Sequence, residues 1–268
     1  MDVNLGRIVI TGVAGRMGAT VREGLRENVG ELVLFDREPV TADSDNETVH
    51  EGDINDLDAL QKAFQGADAV VHLAGRPDEA PFDELLDANV KGTFTVLEAA
   101  RRTGVRRVVL AGSNRVTGGY PIHHHVFPDE PPRPDGLYGV SKVAVEALGQ
   151  MYADKFGLEV VALRIGSFET EPTETRHLAT WLSPRDCVGF VRAALTTDNV
   201  TFAAVYAVSA NARRFWDLTA GENELGYRPV DDAAGFAPGF PDDDPFWHGG
   251  PQGGAFASPE STLPHLPE

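Results

Sequence analysis

The sequence predicts an α/β protein of the Rossmann type: a doubly wound parallel sheet, then a small C-terminal substrate-binding portion and an extended tail. Three observations predict it. Short β-branched apolar runs alternate with amphipathic helical stretches through the first 166 residues. A glycine-rich turn, TGVAGRMG (11–18), joins the first run to the first helical stretch. Beyond residue 166 the periodicity loosens and, from 229 onward, Pro, Gly, Asp and Phe accumulate.

Each element has its own signal. RIVITG (7–12) is a short β-branched run, as a strand buried on both faces requires. RMGATVREGLREN (16–28) has helical spacing, and ELVLFD (31–36) and ETVHEGDI (47–54) read as strands two and three. DLDALQKAFQG (56–66) is a helix closed by Gly66, and DAVVHLAG (68–75) is strand four. FDELLDANVKGTFTVLEAARRTG (82–104) reads as one long helix, again closed by glycine, and RRVVLAGS (106–113) as strand five. A helix runs from Leu137 to about Phe156, and LEVVALRIG (158–166) is strand six. SPRDCVGFVRAAL (183–195) looks helical with Ser183 as N-cap, and FAAVYAVSA (202–210) looks like a strand. In the tail, Phe246, Trp247 and Phe256 argue for docking onto the body of the protein. Residues 1–268 are expected to form a single nucleotide-binding domain, with 167–268 contributing substrate-binding loops and the tail. Repeated βαβ units give a parallel sheet, and ligands of such sheets bind outside the carboxyl ends of the strands. That places the chemistry near residues 12–18, 36, 53, 74–77, 112–115 and 164–168.

Composition excludes several partners. With 41 Asp+Glu against 23 Lys+Arg the net charge is −18, which repels nucleic acid and anionic membranes. No run of 18 apolar residues predicts a membrane span, and the first residues lack the pattern of a secretory leader. The lone Cys187 rules out an intramolecular disulfide and fits a reducing cytoplasm; its place in a helical stretch suggests packing rather than a nucleophile. Only 4 of the 23 basic residues are lysines, so an acidic, lysine-poor surface suggests adaptation to high salt. The triple histidine 123–125 lacks a carboxylate or cysteine partner at metal-site spacing and reads as a solvated loop, so no metal is expected.

The glycine turn has the context that gives it meaning, a strand before and a helix after. Gly12 permits the turn, Gly15 lets backbone approach a pyrophosphate, and Gly18 allows close helix–strand packing. Arg16 and Met17 belong to the same loop. Asp36 ends strand two, where a carboxylate accepts both ribose hydroxyls of NAD and repels the 2′-phosphate of NADP; Arg37 beside it weakens that preference. By position, Asp53 and Ile54 at the end of strand three, and Leu73, Ala74 and Gly75 at the end of strand four, are further cofactor contacts.

LYGVSKVAVEALG (137–149) adds chemistry to a helix. Tyr138 and Lys142 are four residues apart and share a face. A phenol titrates near 10, too high for a base at neutral pH, and a nearby ammonium lowers it. Ser113 ends strand five beside the same crevice, where its hydroxyl can bind a substrate oxygen. Together with DANVKGT, which contains Asn89, these motifs resemble the short-chain dehydrogenase/reductase superfamily, extended type, over residues 7 to about 166. The resemblance implies that Tyr138 is the general base, that Lys142 lowers its pKa and binds the nicotinamide ribose, that Ser113 positions the reacting oxygen, and that Asn89 supports a water-linked proton relay. RPDGLYGVSK, RIGSFETEPTETRHLATW and the Gly-rich aromatic tail are similar to the uronate dehydrogenases, which oxidise the anomeric carbon of glucuronate or galacturonate with NAD to the aldarolactone. A guanidinium can grip a carboxylate through two parallel hydrogen bonds, and by resemblance Arg176 is that clamp. Ser167, Asn114 and Gly112 would line the sugar site. Arg76-Pro77 stands where a substrate-binding serine is expected, and Arg76 could supply a second cation; Arg115 replaces an expected histidine. Arg164 reads as structural. Haloarchaeal NAD-dependent glucose-6-phosphate dehydrogenases share the loop and LYGVSK. Nucleotide-sugar epimerases usually need a larger C-terminal portion, and a non-catalytic NAD sensor would tend to lack the tyrosine or lysine. The superfamily commonly forms homo-oligomers, so one is expected here.

Overall fold

The computed structural model describes residues 5–198 and 200–267. In chain order the main elements are β1 (Arg7–Thr11), α1 (Arg16–Leu25), β2 (Glu31–Asp36), β3 (Glu47–Glu51), α2 (Leu57–Phe64), β4 (Ala69–His72), α3 (Phe82–Leu85), α4 (Gly92–Thr103), β5 (Arg107–Ala111), α5 (Leu137–Phe156) and β6 (Glu159–Ile165). There follow β7 (Ser167–Phe168), α6 (His177–Thr180), β8 (Trp181–Leu182), α7 (Pro184–Thr196), β9 (Phe202–Ala207), α8 (Thr219–Leu225) and α9 (Pro259–Thr262). Seven strands form one parallel sheet in the order β3-β2-β1-β4-β5-β6-β9. The strand order reverses beside β1, between β2 and β4, which opens a crevice at the carboxyl ends.

Alternation along each strand explains the two-faced core. Ile8 and Ile10 of β1, Leu32 and Leu34 of β2 and Val71 of β4 pack on one face with Phe190 and Val191 of α7. Val9, Val33, Phe35, Val70, Val108 and Leu110 pack on the other with Leu60, Phe64, Val96 and Tyr152 of the helices there. Apolar residues on both faces of each strand are what a parallel sheet covered by helices demands. Each such side chain contributes about 1.5–3 kcal/mol when fully buried. Arg107 is buried with its charge answered: Nε donates to Glu159 on the neighbouring strand at 2.8 Å, and Nη1 to the carbonyl of Leu195 at 2.7 Å. A cation suits the carbonyl end of α7.

Several expectations need correction. The third strand ends at Glu51, so Asp53 and Ile54 lie beyond it, and β2 reaches β3 through a loop rather than a helix. The long helix expected over 82–104 is α3, a π-helical turn over Leu86–Lys91, and α4. Such π turns often mark functional positions, and this one carries Asn89. The tail docks as expected. Phe246 and Trp247 pack on a cluster that includes Tyr206, Phe215 and Trp216, and Gln252 is fully buried.

Candidate active site

At the carboxyl ends of the strands lies a cavity of about 640 Å³. Its wall includes Gly12, Gly15, Arg16, Met17, Gly18, Leu73, Gly75, Arg76, Gly112, Ser113, Asn114, Tyr138, Lys142, Ser167 and Arg176. Residues scattered across the sequence thus meet in one place. Asp36, Arg37, Asp53, Ile54, Ala74 and Asn89 are not among its lining residues.

One end of the cavity is formed by the glycine turn. Gly12 has φ of 76°, and a Cβ there would sit 2.5 Å from the Ala74 nitrogen. A Cβ on Gly18 would lie 2.3 Å from the Gly12 carbonyl oxygen, so only glycine lets α1 sit this close to the loop. Gly15 is the N-cap of α1 and offers no side-chain cap, and the first turn holds no acid. The first N–H groups of α1 therefore face the cavity without a carboxylate competing for them, which fits the pyrophosphate of a dinucleotide. Asp36 Oδ2 accepts the Ala14 N–H at 2.8 Å, which fixes the carboxylate at the rim of the glycine loop. Arg37 points to solvent beside Glu38. Asp53 accepts the Asn55 N–H at 2.8 Å, while Asp56, not Asp53, caps α2. Ile54 packs into the core and against Gly92. Arg16 spans the cavity mouth: its guanidinium donates to Glu169 at 2.8 and 2.9 Å and to the Phe168 carbonyl at 2.9 Å.

The reacting end is built on the first turns of α5. Tyr138 and Lys142 are both buried. Lys142 Nζ donates to the Ala111 carbonyl at 2.9 Å and lies 5.6 Å from the centre of the Tyr138 ring. Ser113 caps the 3-10 turn that follows β5 and is near enough to Tyr138 to pull its phenol down. Burial pushes the Tyr138 phenol up to about 12, against the downward pull of Ser113 and the Arg115 guanidinium. The sequence pointed to Lys142 for that pull. Burial also pushes the Lys142 amine down to about 8, which still leaves it charged at neutral pH. Asn89 is buried one layer back. Its Oδ1 accepts the Arg76 N–H at 2.8 Å, and its Nδ2 donates to Ser141 Oγ at 2.9 Å and the Arg76 carbonyl at 3.2 Å. It ties the loop after β4 to α5. A Cβ on Gly75, whose φ is 149°, would strike Asn89 Oδ1 at 2.6 Å.

The third side of the cavity follows β6. Arg176 is mostly buried, its side chain 12% exposed, and its one ion pair among the described residues is to the half-exposed Glu174 at 3.3 Å. Its Nη2 donates to Ser167 Oγ at 3.3 Å, and Ser167 is held by Thr180 at 2.8 Å. Burial lowers the pKa of Arg176, the signature of a cation short of counter-charge. Asn114 is buried in the wall, and Gly112 lets β5 approach β6: a Cβ there would be 2.8 Å from the Leu163 carbonyl oxygen. Arg76 is half-exposed and engaged by Glu84. Arg164 forks onto Glu146 with two bonds of 2.9 Å and serves the core.

Sequence reasoning missed the acidic frame around Arg115, made of Asp78, Glu79 and Asp135. It also missed Glu169, Thr173, Glu174, His177 and Phe256 as lining residues. Only Phe256 carried a signal, as an aromatic in a polar tail. Among the described residues no group of three or more His, Cys, Asp or Glu is placed to hold a metal ion. His124 instead pairs with Glu130 at 2.7 Å and stacks on Tyr120. Cys187 is buried in α7, and burial pushes its thiol up to about 12.

Comparison with known proteins agrees with this geometry. The uronate dehydrogenase of Pseudomonas syringae pv. tomato is 40% identical, over 94% of this chain and 93% of that protein. The L-arabinose 1-dehydrogenase (NAD(P)(+)) of Haloferax volcanii is 38% identical, over 86% of this chain and 98% of that protein. A crystal structure of a mutant uronate dehydrogenase from Agrobacterium tumefaciens, complexed with NAD, superposes with a TM-score of 0.88 at 37% identity, covering 94% of this chain and 97% of that one. Residues 8–185 match the NAD dependent epimerase/dehydratase family. The chain belongs to that family and is a homologue of the uronate dehydrogenases.

Proposed function

We propose that the protein oxidises the anomeric carbon of a hexuronate, D-glucuronate or D-galacturonate, to the aldarolactone with NAD. The observation that carries this is Arg176: a buried guanidinium, under-neutralised, in the same cavity as the Tyr138–Lys142–Ser113 group and the glycine cradle. A carboxylate bound there would complete its two-pronged hydrogen bonding and supply the missing charge. NAD, when bound, accepts the hydride from the anomeric carbon. The chain's own residues do the rest. Tyr138 takes the proton of the anomeric hydroxyl, which Ser113 holds in place. Lys142 binds the nicotinamide ribose. Asn89 supports a water-linked proton relay by fastening Arg76 and Ser141 around it. Gly12, Gly15, Arg16, Met17 and Gly18 hold the pyrophosphate, Asp36 selects the 2′-hydroxyl of NAD, and Leu73, Ala74 and Gly75 back the cofactor. Arg37, Asp53 and Ile54 serve its adenosine end at longer range. Ser167, Asn114 and Gly112 shape the sugar site, with Arg76 as a second cation at the rim.

The chain works as one nucleotide-binding unit, with residues 167–268 furnishing the sugar loops and tail. Phe94 on α4 and Val140 and Phe156 on α5 expose apolar surface on two helices that pack together, which supports a homo-oligomer. The charge of −18 supports a protein that avoids nucleic acid and anionic membranes and tolerates high salt. No described helix is long and apolar enough to cross a membrane. The single buried cysteine supports a cytoplasmic setting. The test is NADH formation over glucuronate, galacturonate, L-arabinose and glucose 6-phosphate. The uronates should turn over fastest, and Tyr138→Phe should abolish that turnover while leaving NAD bound. Preference for the neutral pentose or the phosphosugar would refute the reading.

A further inference from the structure

Four side chains form a continuous stack along the cavity wall. The Arg115 guanidinium lies 5.2 Å from the centre of the Tyr138 ring and 4.3 Å from that of the Phe256 ring. The Phe256 ring in turn lies 5.1 Å from the Arg176 guanidinium. Rings and guanidinium groups alternate from the base to the group proposed to hold the substrate carboxylate. Cation–π contacts gain strength when desolvated, and both arginines here are largely buried.

Arg115 is not a spare carboxylate ligand, because its own carboxylates already engage all three of its nitrogens. Nε donates to Asp135 at 2.8 Å, Nη1 to Asp78 at 2.8 Å, and Nη2 to Glu79 at 3.2 Å. Glu79 has a second task. Its Oε1 accepts the Leu137 N–H at 2.7 Å and its Oε2 the Tyr138 N–H at 3.1 Å. The N-cap of α5 is Gly136, which has no side chain to offer. A carboxylate from a distant loop therefore caps the helix that carries the base, at the end where negative charge is favoured. Arg115 holds that carboxylate, and Thr262 of the tail donates to it as well, at 3.1 Å. Arg115 thus reaches Tyr138 twice, across its ring and through its backbone cap.

We propose that Arg115 is a positioning residue for Tyr138, and that Phe256 is the splint from the tail that keeps Arg115 and Arg176 set together against the cavity. The part concerning Tyr138 is independent of the sugar; the part concerning Arg176 rests on the uronate reading. The groups that act on Tyr138 are Arg115, Lys142, Ser113, Asp78, Asp135 and Glu79. Arg115 lowers the phenol and the carboxylates Asp78 and Asp135 raise it. Removing the Arg115 charge therefore moves the phenol up. The reaction needs the phenolate, so the ascending limb of kcat/KM moves to higher pH.

The experiment compares wild type with R115Q, R115K, F256A and F256W, all as full chains saturated with NAD. Two readouts are taken: kcat/KM against pH, on whichever sugar of the panel wild type oxidises best, and 19F NMR titration after 3-fluorotyrosine labelling. Fluorination lowers phenol pKa values into a workable range, and Tyr138→Phe identifies the signal. R115Q should move the Tyr138 titration and the ascending limb up by about one unit, and R115K should recover most of the shift. F256A should raise KM for the uronate about tenfold with a smaller change in kcat, and F256W should restore it. R115Q leaves Asp135, whose Oδ2 has no partner among the described residues, without its counter-charge, so the variants are first checked for folding by circular dichroism, and an unfolded R115Q is set aside. R115K and F256A then decide. If F256A keeps the wild-type KM and limb, or a folded R115Q keeps the wild-type titration, the proposal is overturned. Failure of the uronate reading shows separately, as a wild type inert to uronates, and the NMR titration needs no sugar at all.

Discussion

At the scale of single residues, charge and burial decide function. Arg176 carries the substrate assignment, so its loss should be selective. Arg176→Met is expected to raise KM for glucuronate about 100-fold, since a charge-assisted pair contributes about 1.5–3 kcal/mol. NAD affinity, measured by fluorescence titration, should stay at the wild-type value; an equal loss in both would move Arg176 from the sugar to the scaffold. His72 shows a different consequence of burial. It is held between Thr11 and Thr93 at 2.7 and 3.2 Å, and burial with the Lys142 charge pushes it down to about 3. The folded protein keeps this ring neutral while the unfolded chain protonates it near 6.5. Below pH 6.5 the unfolded state binds the extra proton, so stability falls as the pH drops from about 6.5 towards 3. Between pH 6.5 and 5 this loss is about 1.6 kcal/mol, the slope rising towards about 1.36 kcal/mol per unit as the unfolded ring becomes fully protonated. Urea unfolding of His72→Gln should be flatter over that interval. The carboxylates Glu47 and Glu98, both held down to about 2 by arginine partners, act only below about 4.5. Tyr138 and Lys142 were legible as a pair because helical spacing alone sets them on one face. Arg115 was not, because its three carboxylates and two rings come from three stretches of chain far apart in sequence, around 78–79, 135–138 and 256.

At the scale of elements, the site depends on where strands end and helices begin. The βα turn at 12–18 was legible, since its glycines lie close together in sequence, and the structure requires glycine at Gly12 for a dihedral and at Gly18 for a contact. Gly12→Ala would place a methyl 2.5 Å from backbone at φ of 76°. It should destabilise the protein by about 1–3 kcal/mol and weaken NAD binding, as differential scanning fluorimetry with and without NAD would report. A normal melting temperature with normal NAD stabilisation would show that the loop can move aside. Two elements were less legible. The π turn over Leu86–Lys91 reads as ordinary helix, because periodicity cannot register one extra residue per turn. Its effect is to place Asn89 against Arg76 and Ser141. The N-terminus of α5 reads as uncapped, because its cap, Glu79, lies well upstream in the chain.

At the scale of the whole molecule, charge and the tail dominate. A net charge of −18 repels itself, and salt screens that repulsion over about 10 Å at 0.1 M and 3 Å at 1 M. The melting temperature should therefore climb between 0.1 and 2 M KCl, and a flat or falling profile in calorimetry would contradict a surface shaped by repulsion. The tail shows where legibility ends. Its aromatics announced docking but not the place: Phe246 and Trp247 join the cluster around Trp216, while Phe256 enters the cavity. The sequence by itself determined the parallel sheet, the glycine turn, the Tyr138–Lys142 pair and a serine, Ser113, in the turn just past β5. Each of these rests on periodicity, spacing or the end of an element, which are local. Tertiary structure alone decided that Glu79 caps α5, that Arg115 lies between Tyr138 and Phe256, and that Arg176 is buried short of counter-charge. Those are facts of burial and of distances between remote segments, which no local pattern in the sequence encodes.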